Sequence, residues 1–309
     1  MAMRITVVGP GAMGVFFGVR LARAGAQVNF LDHRPGRAAH LDQNGVFLET
    51  LEGEEIHLPL KASADPALAL AGADLALICV KAYQTEGIAR LLAPHLAAGA
   101  RALTLQNGVG NVEALVAALG PERVLGGTTS EGIIGLGQGR ARHAGRGLTN
   151  LGPAQGEVDG FCRELAALFT AAGFATQAVA GVQNLIWTKL VVNVSINALT
   201  AILGVPNGRM LEIAPAVEVM EAAMNEALAV GQALGVEFLH PDMPAAVHEV
   251  GRRTAANRSS MLQDLGHQRR TEVEYINGAV VRAGAELGLA APVNQTLTRL
   301  VLALEQAGR

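Results

Sequence analysis

Arg4-Ile5-Thr6-Val7-Val8 is a short apolar run rich in β-branched residues, and Gly9-Pro10-Gly11-Ala12-Met13-Gly14 follows it at once. A stretch with helical character then runs from Val15 to Ala24. Strand, G-x-G-x-x-G and helix in that order form the dinucleotide fingerprint in its required context. Gly9 permits the tight turn, Gly11 lets backbone approach a pyrophosphate, and Gly14 lets helix and strand pack closely. With Ala12 and Met13, these glycines would put free N–H groups and a positive dipole end against the phosphates. In a chain with 37 glycines the motif alone arises by chance, and its position next to the first strand gives it weight.

The 309 residues exceed the usual size of one core, so two domains are expected. Hydrophobic residues make up 50% and charged residues 17%, enough apolar material for a large core and too little charge for disorder. A net charge of −3 gives no general attraction to nucleic acid or an anionic membrane, and neither partner is expected. No run of about 20 uninterrupted apolar residues suggests a transmembrane helix. The two cysteines, Cys79 and Cys162, lie far apart, and the eight histidines lack metal-ligand spacing, so no disulfide framework or metal site is expected. With no room for a signal peptide before the first strand, a reducing cytoplasm fits best.

Strand and helix patterns alternate through the N-terminal part, the sign of βαβ units and a parallel sheet. Gln27–Leu31 reads as the second strand, with short extended pieces at Val46–Glu49 and Glu55–Pro59. Leu75–Val80 is continuously apolar, as expected of a strand buried on both faces. Helices are predicted over Gln84–Leu96, Asn111–Leu119 and Glu157–Ala172, and strands over Arg101–Leu105, Leu148–Leu151 and Ala175–Val179. Val124–Ile134 turns β-like. The Gly- and Arg-rich segment Gly135–Gly147 reads as a hairpin with turns at Gly137–Gly139 and Gly145–Gly147, rather than as a nucleic-acid tail. From about Gly181 the pattern becomes helical. The expected fold class is α/β: a Rossmann-type parallel-sheet domain over 1–180 and an all-helical domain over 181–309.

Ligands of open parallel sheets sit outside the carboxyl ends of the strands. Lys81 and Asn107 follow two such strands, and each reads either as a site residue or as a solvated Lys and a turn Asn. In the helical part Lys189, Asn193 and Asn197 recur every four residues among apolar neighbours, which puts an ammonium and two amides on one helix face. The stripe is either a row of satisfied interhelix hydrogen bonds or the wall of a site, where a desolvated lysine could serve as a general acid. Ser260 and Glu272 lie twelve residues apart, about 120° off a common helix face. They can share a site only if the helix breaks between them, as at Gly266, or if both flank the ligand. Spacing alone reads Glu272 as a surface carboxylate.

Val-Lys-Ala-Tyr-Gln from Val80, Gln-Asn-Gly-Val-Gly from Gln106, Trp-Thr-Lys-Leu-Val-Val-Asn from Trp187, Asn-Arg-Ser-Ser-Met-Leu-Gln-Asp from Asn257 and Thr-Glu-Val-Glu-Tyr-Ile-Asn-Gly from Thr271 follow the fingerprint. In that order they resemble the ketopantoate reductases (2-dehydropantoate 2-reductases) over nearly the whole chain. The resemblance implies NADPH-dependent reduction of 2-dehydropantoate to (R)-pantoate in pantothenate biosynthesis, with a 2-keto acid as the small-molecule partner and a dimer or monomer as the assembly. It makes Lys189 the acid that protonates the keto oxygen and Glu272 its acidic companion at the substrate hydroxyl. It makes Asn193, Asn197 and Ser260 substrate-binding residues, and places Lys81 and Asn107 near nicotinamide and substrate.

One segment departs from the family pattern. The family usually has Arg just beyond the second strand to meet the 2′-phosphate of NADPH, whereas here Asp32-His33-Arg34 follows Leu31. His33 and Arg34 argue for NADP(H). Asp32 sits where an acid would bond the ribose hydroxyls of NAD(H) and repel a 2′-phosphate, so NAD(H) stays an alternative. Reduction of another 2-keto acid and a non-catalytic cofactor-binding sensor also stay open. A two-domain β-hydroxyacid dehydrogenase is disfavoured by the Ser-Ser-Met-Leu-Gln-Asp segment.

Overall fold

The computed structural model describes residues 2–308, which form two compact units. The first comprises the chain through Gln106 together with Asn111–Val182, and the second comprises Asn107–Gly110 together with the chain from Gln183 onward.

In the first unit β1 (Arg4–Val8) leads through α1 (Ala12–Arg23) to β2 (Gln27–Leu31) and α2 (Pro35–Asn44). β3 (Val46–Glu49), β4 (Glu55–Leu58), β5 (Lys61–Ser63), α3 (Pro66–Ala69) and β6 (Leu75–Ile78) follow. Next come α4 (Thr85–Leu92), β7 (Arg101–Thr104), α5 (Asn111–Leu119) and β8 (Val124–Thr129). β9 (Gly132–Gly137), β10 (Arg140–Gly145), β11 (Leu148–Pro153), α6 (Gly160–Ala171) and β12 (Ala175–Ala178) complete it. The main sheet has the order β12-β11-β8-β7-β6-β1-β2-β5. β1 pairs in parallel with both β2 and β6, and Ile5, Thr6, Val7 and Val8 are buried, as a central strand covered on both faces requires. The sheet is not wholly parallel, because β11 runs antiparallel to β8.

The β-like Val124–Ile134 stretch is divided between two sheets. β8 ends at Thr129, and β9 enters a second sheet of order β4-β3-β10-β9. β9 and β10 form the expected hairpin around Gly137–Gly139, but after Gly145 the chain passes to β11 in the main sheet. The arginines of this segment face acids across the small sheet. Arg142 bonds Glu49 at 2.7 Å, Arg146 bonds Glu52 at 2.7 Å, and Arg140 pairs with Glu55. Inside the unit Phe17, Phe169 and Phe174 form an aromatic cluster with centroids 5.3–5.7 Å apart.

The second unit carries α7 (Val182–Leu203) from its second residue on, α8 (Asn207–Leu211), α9 (Ala214–Ala233) and α10 (Met243–Arg253), then α11 (Ser260–Gly266), α12 (Asn277–Glu286) and α13 (Pro292–Ala307). α7 has the length and mean hydropathy, 1.5, of a membrane-crossing helix, but 72% of its most apolar window is buried within the protein, so it is a core helix. Leu190, Val191 and Val194 pack with Met220, Met224, Val280 and Val301. A buried polar network fixes its height. Asn277 Nδ2 donates to the Val194 carbonyl at 3.2 Å and to Asn294 Oδ1 at 2.9 Å. Glu226 in turn accepts the first-turn N–H groups of Val293 and Asn294 at 2.8 and 2.9 Å, an acid placed at the positive end of α13.

Phe169 is fully buried between Phe17 and Phe174. Phe169→Ala is expected to lower stability by about 3–5 kcal/mol in urea unfolding, the cost of a deleted ring whose cavity the neighbours fill only in part. A loss below about 1 kcal/mol would mean that the cluster collapses around the deletion.

Candidate active site

In the first unit the candidate residues begin at the turn between β1 and α1. Gly9 has φ +90°, and an added Cβ there would lie 2.5 Å from Val80 Cγ1. A Cβ on Gly14 would lie 2.4 Å from the Gly9 carbonyl oxygen. Packing within the protein thus accounts for both glycines. It does not account for Gly11, whose added Cβ would meet nothing within 4 Å. Glycine there leaves open a backbone surface beside the N-terminus of α1, where Ala12, Met13 and Gly14 begin the helix and no side chain caps it. First-turn N–H groups of a helix have no intrahelical acceptor. The turn therefore has the form and polarity of a phosphate cradle, and the residues present fit a dinucleotide.

Asp32, His33 and Arg34 follow directly on β2. Asp32 is 2% exposed, whereas His33 and Arg34 point more than half of their side-chain surface to solvent. Lys81 follows β6 and opens a single 3₁₀ turn, Ala82–Gln84. Gln106 locks the ends of two strands by donating from Nε2 to the Val80 carbonyl at 2.7 Å and accepting from Thr104 Oγ1 at 2.8 Å.

In the second unit a separate cluster of candidate residues surrounds Lys189 on α7. Its Nζ donates to Asn107 Oδ1 at 2.8 Å. Asn107 reaches this position because its loop docks on the turn after Glu272, where the Val109 N–H donates to the Tyr275 carbonyl at 3.0 Å. Gly108 has φ +86°, and any Cβ there would lie 2.4 Å from that same carbonyl oxygen. Removal of the Lys189 ammonium from water lowers its pKa to about 8, and the nearby Glu272 carboxylate opposes the shift.

Glu272 is 7% exposed, which overturns the spacing-based reading of a surface carboxylate. α11 does end at Gly266, and Gln268 turns the chain at φ +53°. The segment is then clamped. Thr271 gives both its N–H and its hydroxyl to Glu305 Oε1, each at 2.7 Å, and Thr271 Oγ1 accepts the Val273 N–H at 3.2 Å. Glu305 lies in the last turn of α13, where a carboxylate opposes the helix dipole, and it is 8% exposed. The sequence carries no sign of this arrangement, since Thr271 and Glu305 are 34 residues apart.

Asn193 and Asn197 share the Lys189 face of α7. Asn193 is part-buried and Asn197 is 8% exposed, yet among the described residues neither side-chain amide has a hydrogen-bond partner. The stripe is therefore not a row of satisfied interhelix bonds. Its amides carry no protein partner among the described residues and are not fully shut off from solvent, so they stay available to a ligand. Ser260 opens α11 and is exposed. No described hydrogen bond joins it to Lys189, Asn193 or Asn197, but Ser259 beside it accepts from Thr200 Oγ1 of α7 at 2.8 Å and caps α11 at the Leu262 N–H. The structure thus brings Lys189, Asn107 and Glu272 together, lines Asn193 and Asn197 up with them, and anchors the Ser260 end of α11 to the same helix.

A fingerprint turn beside a central parallel strand, together with a desolvated lysine flanked by carboxylate and amides on a helical unit, places the chain among two-unit Rossmann-type oxidoreductases. Residues 5–156 match the family described as ketopantoate reductase PanE/ApbA, and residues 181–305 match its C-terminal part, ketopantoate reductase PanE/ApbA C terminal. A 2-dehydropantoate 2-reductase of Halobacterium salinarum is 38% identical over 306 residues, covering 99% of this chain and 100% of its own. The crystal structure of a PanE/ApbA family ketopantoate reductase from Ralstonia eutropha superposes with a TM-score of 0.90 at 35% identity, covering 99% of each chain. A D-mandelate dehydrogenase structure with NADH and anilino(oxo)acetate superposes with a TM-score of 0.91 at 25% identity, again covering 99% of each chain. The chain belongs to the ketopantoate reductase family and is an oxidoreductase.

Gly14→Ala is expected to lower stability by roughly 1–3 kcal/mol, because its Cβ drives into backbone. Gly11→Ala is expected to leave the melting temperature nearly unchanged and to weaken dinucleotide binding tenfold or more in calorimetry. Unweakened binding in Gly11→Ala would remove this turn from the phosphate site.

Proposed function

We propose that the chain reduces 2-dehydropantoate to (R)-pantoate with NADPH, as a step of pantothenate biosynthesis. The observation that carries this reading is the desolvated Lys189 ammonium held by Asn107 beside a buried Glu272. Gly9, Gly11, Ala12, Met13 and Gly14 would hold the pyrophosphate, Asp32, His33 and Arg34 the adenosine ribose end, and Lys81 with Asn107 the nicotinamide end. NADPH, when bound, supplies the hydride that the C2 ketone accepts.

Negative charge develops on the ketone oxygen as that carbon is reduced. The Lys189 ammonium stabilises this charge and gives its Nζ proton to the oxygen, forming the alcohol and leaving a neutral amine that solvent reprotonates. A pKa near 8 suits the step, since the group is mostly charged at neutral pH yet gives up its proton more readily than a solvated lysine. Asn107 fixes the direction of the Nζ donor. Glu272 keeps the ammonium charged and accepts the substrate hydroxyl. The unpartnered amides of Asn193 and Asn197, with the Ser260 hydroxyl, bind and orient the substrate carboxylate and hydroxyl.

A second reading, reduction of a different 2-keto acid, is favoured by the likeness to D-mandelate dehydrogenase with its aromatic oxo-acid ligand. The two are separated by following cofactor absorbance with 2-dehydropantoate and with phenylglyoxylate. A kcat/KM at least tenfold higher for 2-dehydropantoate is expected, and the reverse order assigns the second reading.

Lys189→Ala is expected to cut kcat by about 10²–10⁴-fold while cofactor affinity holds. In the unaltered enzyme, kcat/KM for ketone reduction should be level at low pH and fall through a pKa near 8 as the required ammonium deprotonates. Glu272→Gln removes a charge that raises this pKa, so the falling limb should move to lower pH. An unmoved limb would separate Glu272 from the lysine.

A further inference from the structure

The Asp32 carboxylate stands where a Rossmann fold tells a 2′-hydroxyl from a 2′-phosphate, and its surroundings are unusual for a group with that task. It is 2% exposed at the end of β2. Its Oδ1 accepts the Arg34 backbone N–H at 3.0 Å and lies 3.3 Å from Arg34 Nε and 3.7 Å from His33 Nδ1. Its Oδ2 has no aligned hydrogen bond and is met by Arg37 Nη1 at 3.0 Å. Arg37 stands in the first turn of α2, and its second terminal nitrogen donates to the carbonyl of Pro10 in the glycine-rich turn.

We infer that Arg37 sets the preference for a 2′-phosphorylated dinucleotide by engaging the Asp32 carboxylate. This rests on the reading of the first unit as an NADPH site. An acid at this position selects NAD by accepting ribose hydroxyls and repelling a phosphate. Both actions need an uncompensated carboxylate. Here Oδ1 is hydrogen-bonded by Arg34, and the charge at Oδ2 is met by the Arg37 guanidinium. One carboxylate and two guanidiniums leave a local charge of about +1, which attracts the 2′-phosphate dianion; without Arg37 that sum is about zero and Oδ2 is bare.

The two arginines divide the work by geometry. Arg37 has 26% of its side chain exposed and commits both terminal nitrogens to Asp32 and Pro10. Arg34 is 57% exposed and His33 54%, so these two retain the reach to touch a phosphate. Arg37 is therefore a specificity-determining residue that acts through Asp32. Its bond to Pro10 also ties the ribose-recognising acid to the phosphate turn. A planar guanidinium that sets one terminal nitrogen against the carboxylate and donates from the other to the carbonyl makes that bridge, which a lysine cannot reproduce.

The test is calorimetric binding of adenosine 2′,5′-bisphosphate and 5′-AMP, and of NADPH and NADH, to the full chain and its variants. The unaltered protein should prefer the 2′-phosphorylated member of each pair. Arg37→Met should move that ratio at least tenfold toward the unphosphorylated member, Arg37→Lys should fall between, and Asp32→Asn should keep or raise the original preference. A preference in Arg37→Met within twofold of the unaltered protein's, in a natively folded variant, overturns the inference while leaving the NADPH reading intact. A preference of the unaltered protein for 5′-AMP and NADH overturns that reading itself. Should Arg37→Met not fold, the other two variants decide: a lysine variant with an unmoved ratio, or an Asp32→Asn variant with a reduced one, overturns the inference.

Discussion

An ammonium taken out of water demands that its surroundings be fixed in advance, and Lys189 imposes that demand on the second unit. Desolvation outweighs the Glu272 charge and brings its pKa down to about 8. Around it the chain places groups that would be costly unless they served this lysine or a ligand. Asn107 comes from a loop held by a glycine that packs against the Tyr275 carbonyl. Glu272 comes from a turn clamped by Thr271 and a buried Glu305. α7 is pinned in height by Asn277 through the Val194 carbonyl, one residue beyond Asn193. Hydrogen-bonded buried polar groups give a rigid scaffold, and the Asn193 and Asn197 amides, which have no partner among the described residues, lie on the same helix face as the lysine.

The first unit follows a separate constraint. Its glycine turn is dictated by packing at Gly9 and Gly14 and left open at Gly11. That difference separates a structural turn from a binding surface more sharply than the motif itself. The same turn is tied to the end of β2 through Arg37, so the elements that would recognise pyrophosphate and ribose share one network of charges. A Rossmann core of this kind fixes where a nucleotide binds and leaves its 2′ substituent to a few side chains.

Much of this was legible in the sequence. The buried strands announced themselves through unbroken apolar runs such as Leu75–Ile78, and the four-residue spacing of Lys189, Asn193 and Asn197 put an ammonium and two amides on one face of α7. α2 and β5 were not legible. α2 buries only Ala38 and Leu41 and opens with Pro35-Gly36, while β5 has three residues at a sheet edge, so neither carries a period to read. The parallel pairing of β3 with β10 joins residues more than ninety positions apart and has no local signature. Glu272 is the instructive case within the site. Its spacing from Ser260 pointed to the surface, and only the break after Gly266 and the clamp from Glu305 bring it inside. Interactions set by distant partners escape a reading that works from neighbours.

Proton donation in the proposed reaction depends most on the state of one amino group. The direct measurement is an NMR titration of the Lys189 side chain in isotopically labelled protein, assigned with Lys189→Ala and repeated in Glu272→Gln. A pKa near 8 that falls further in Glu272→Gln is the expected result. A value near 10.5, the ordinary value for lysine, unmoved by loss of the carboxylate, would contradict the account, because the lysine would then be a solvated cation and not a poised acid.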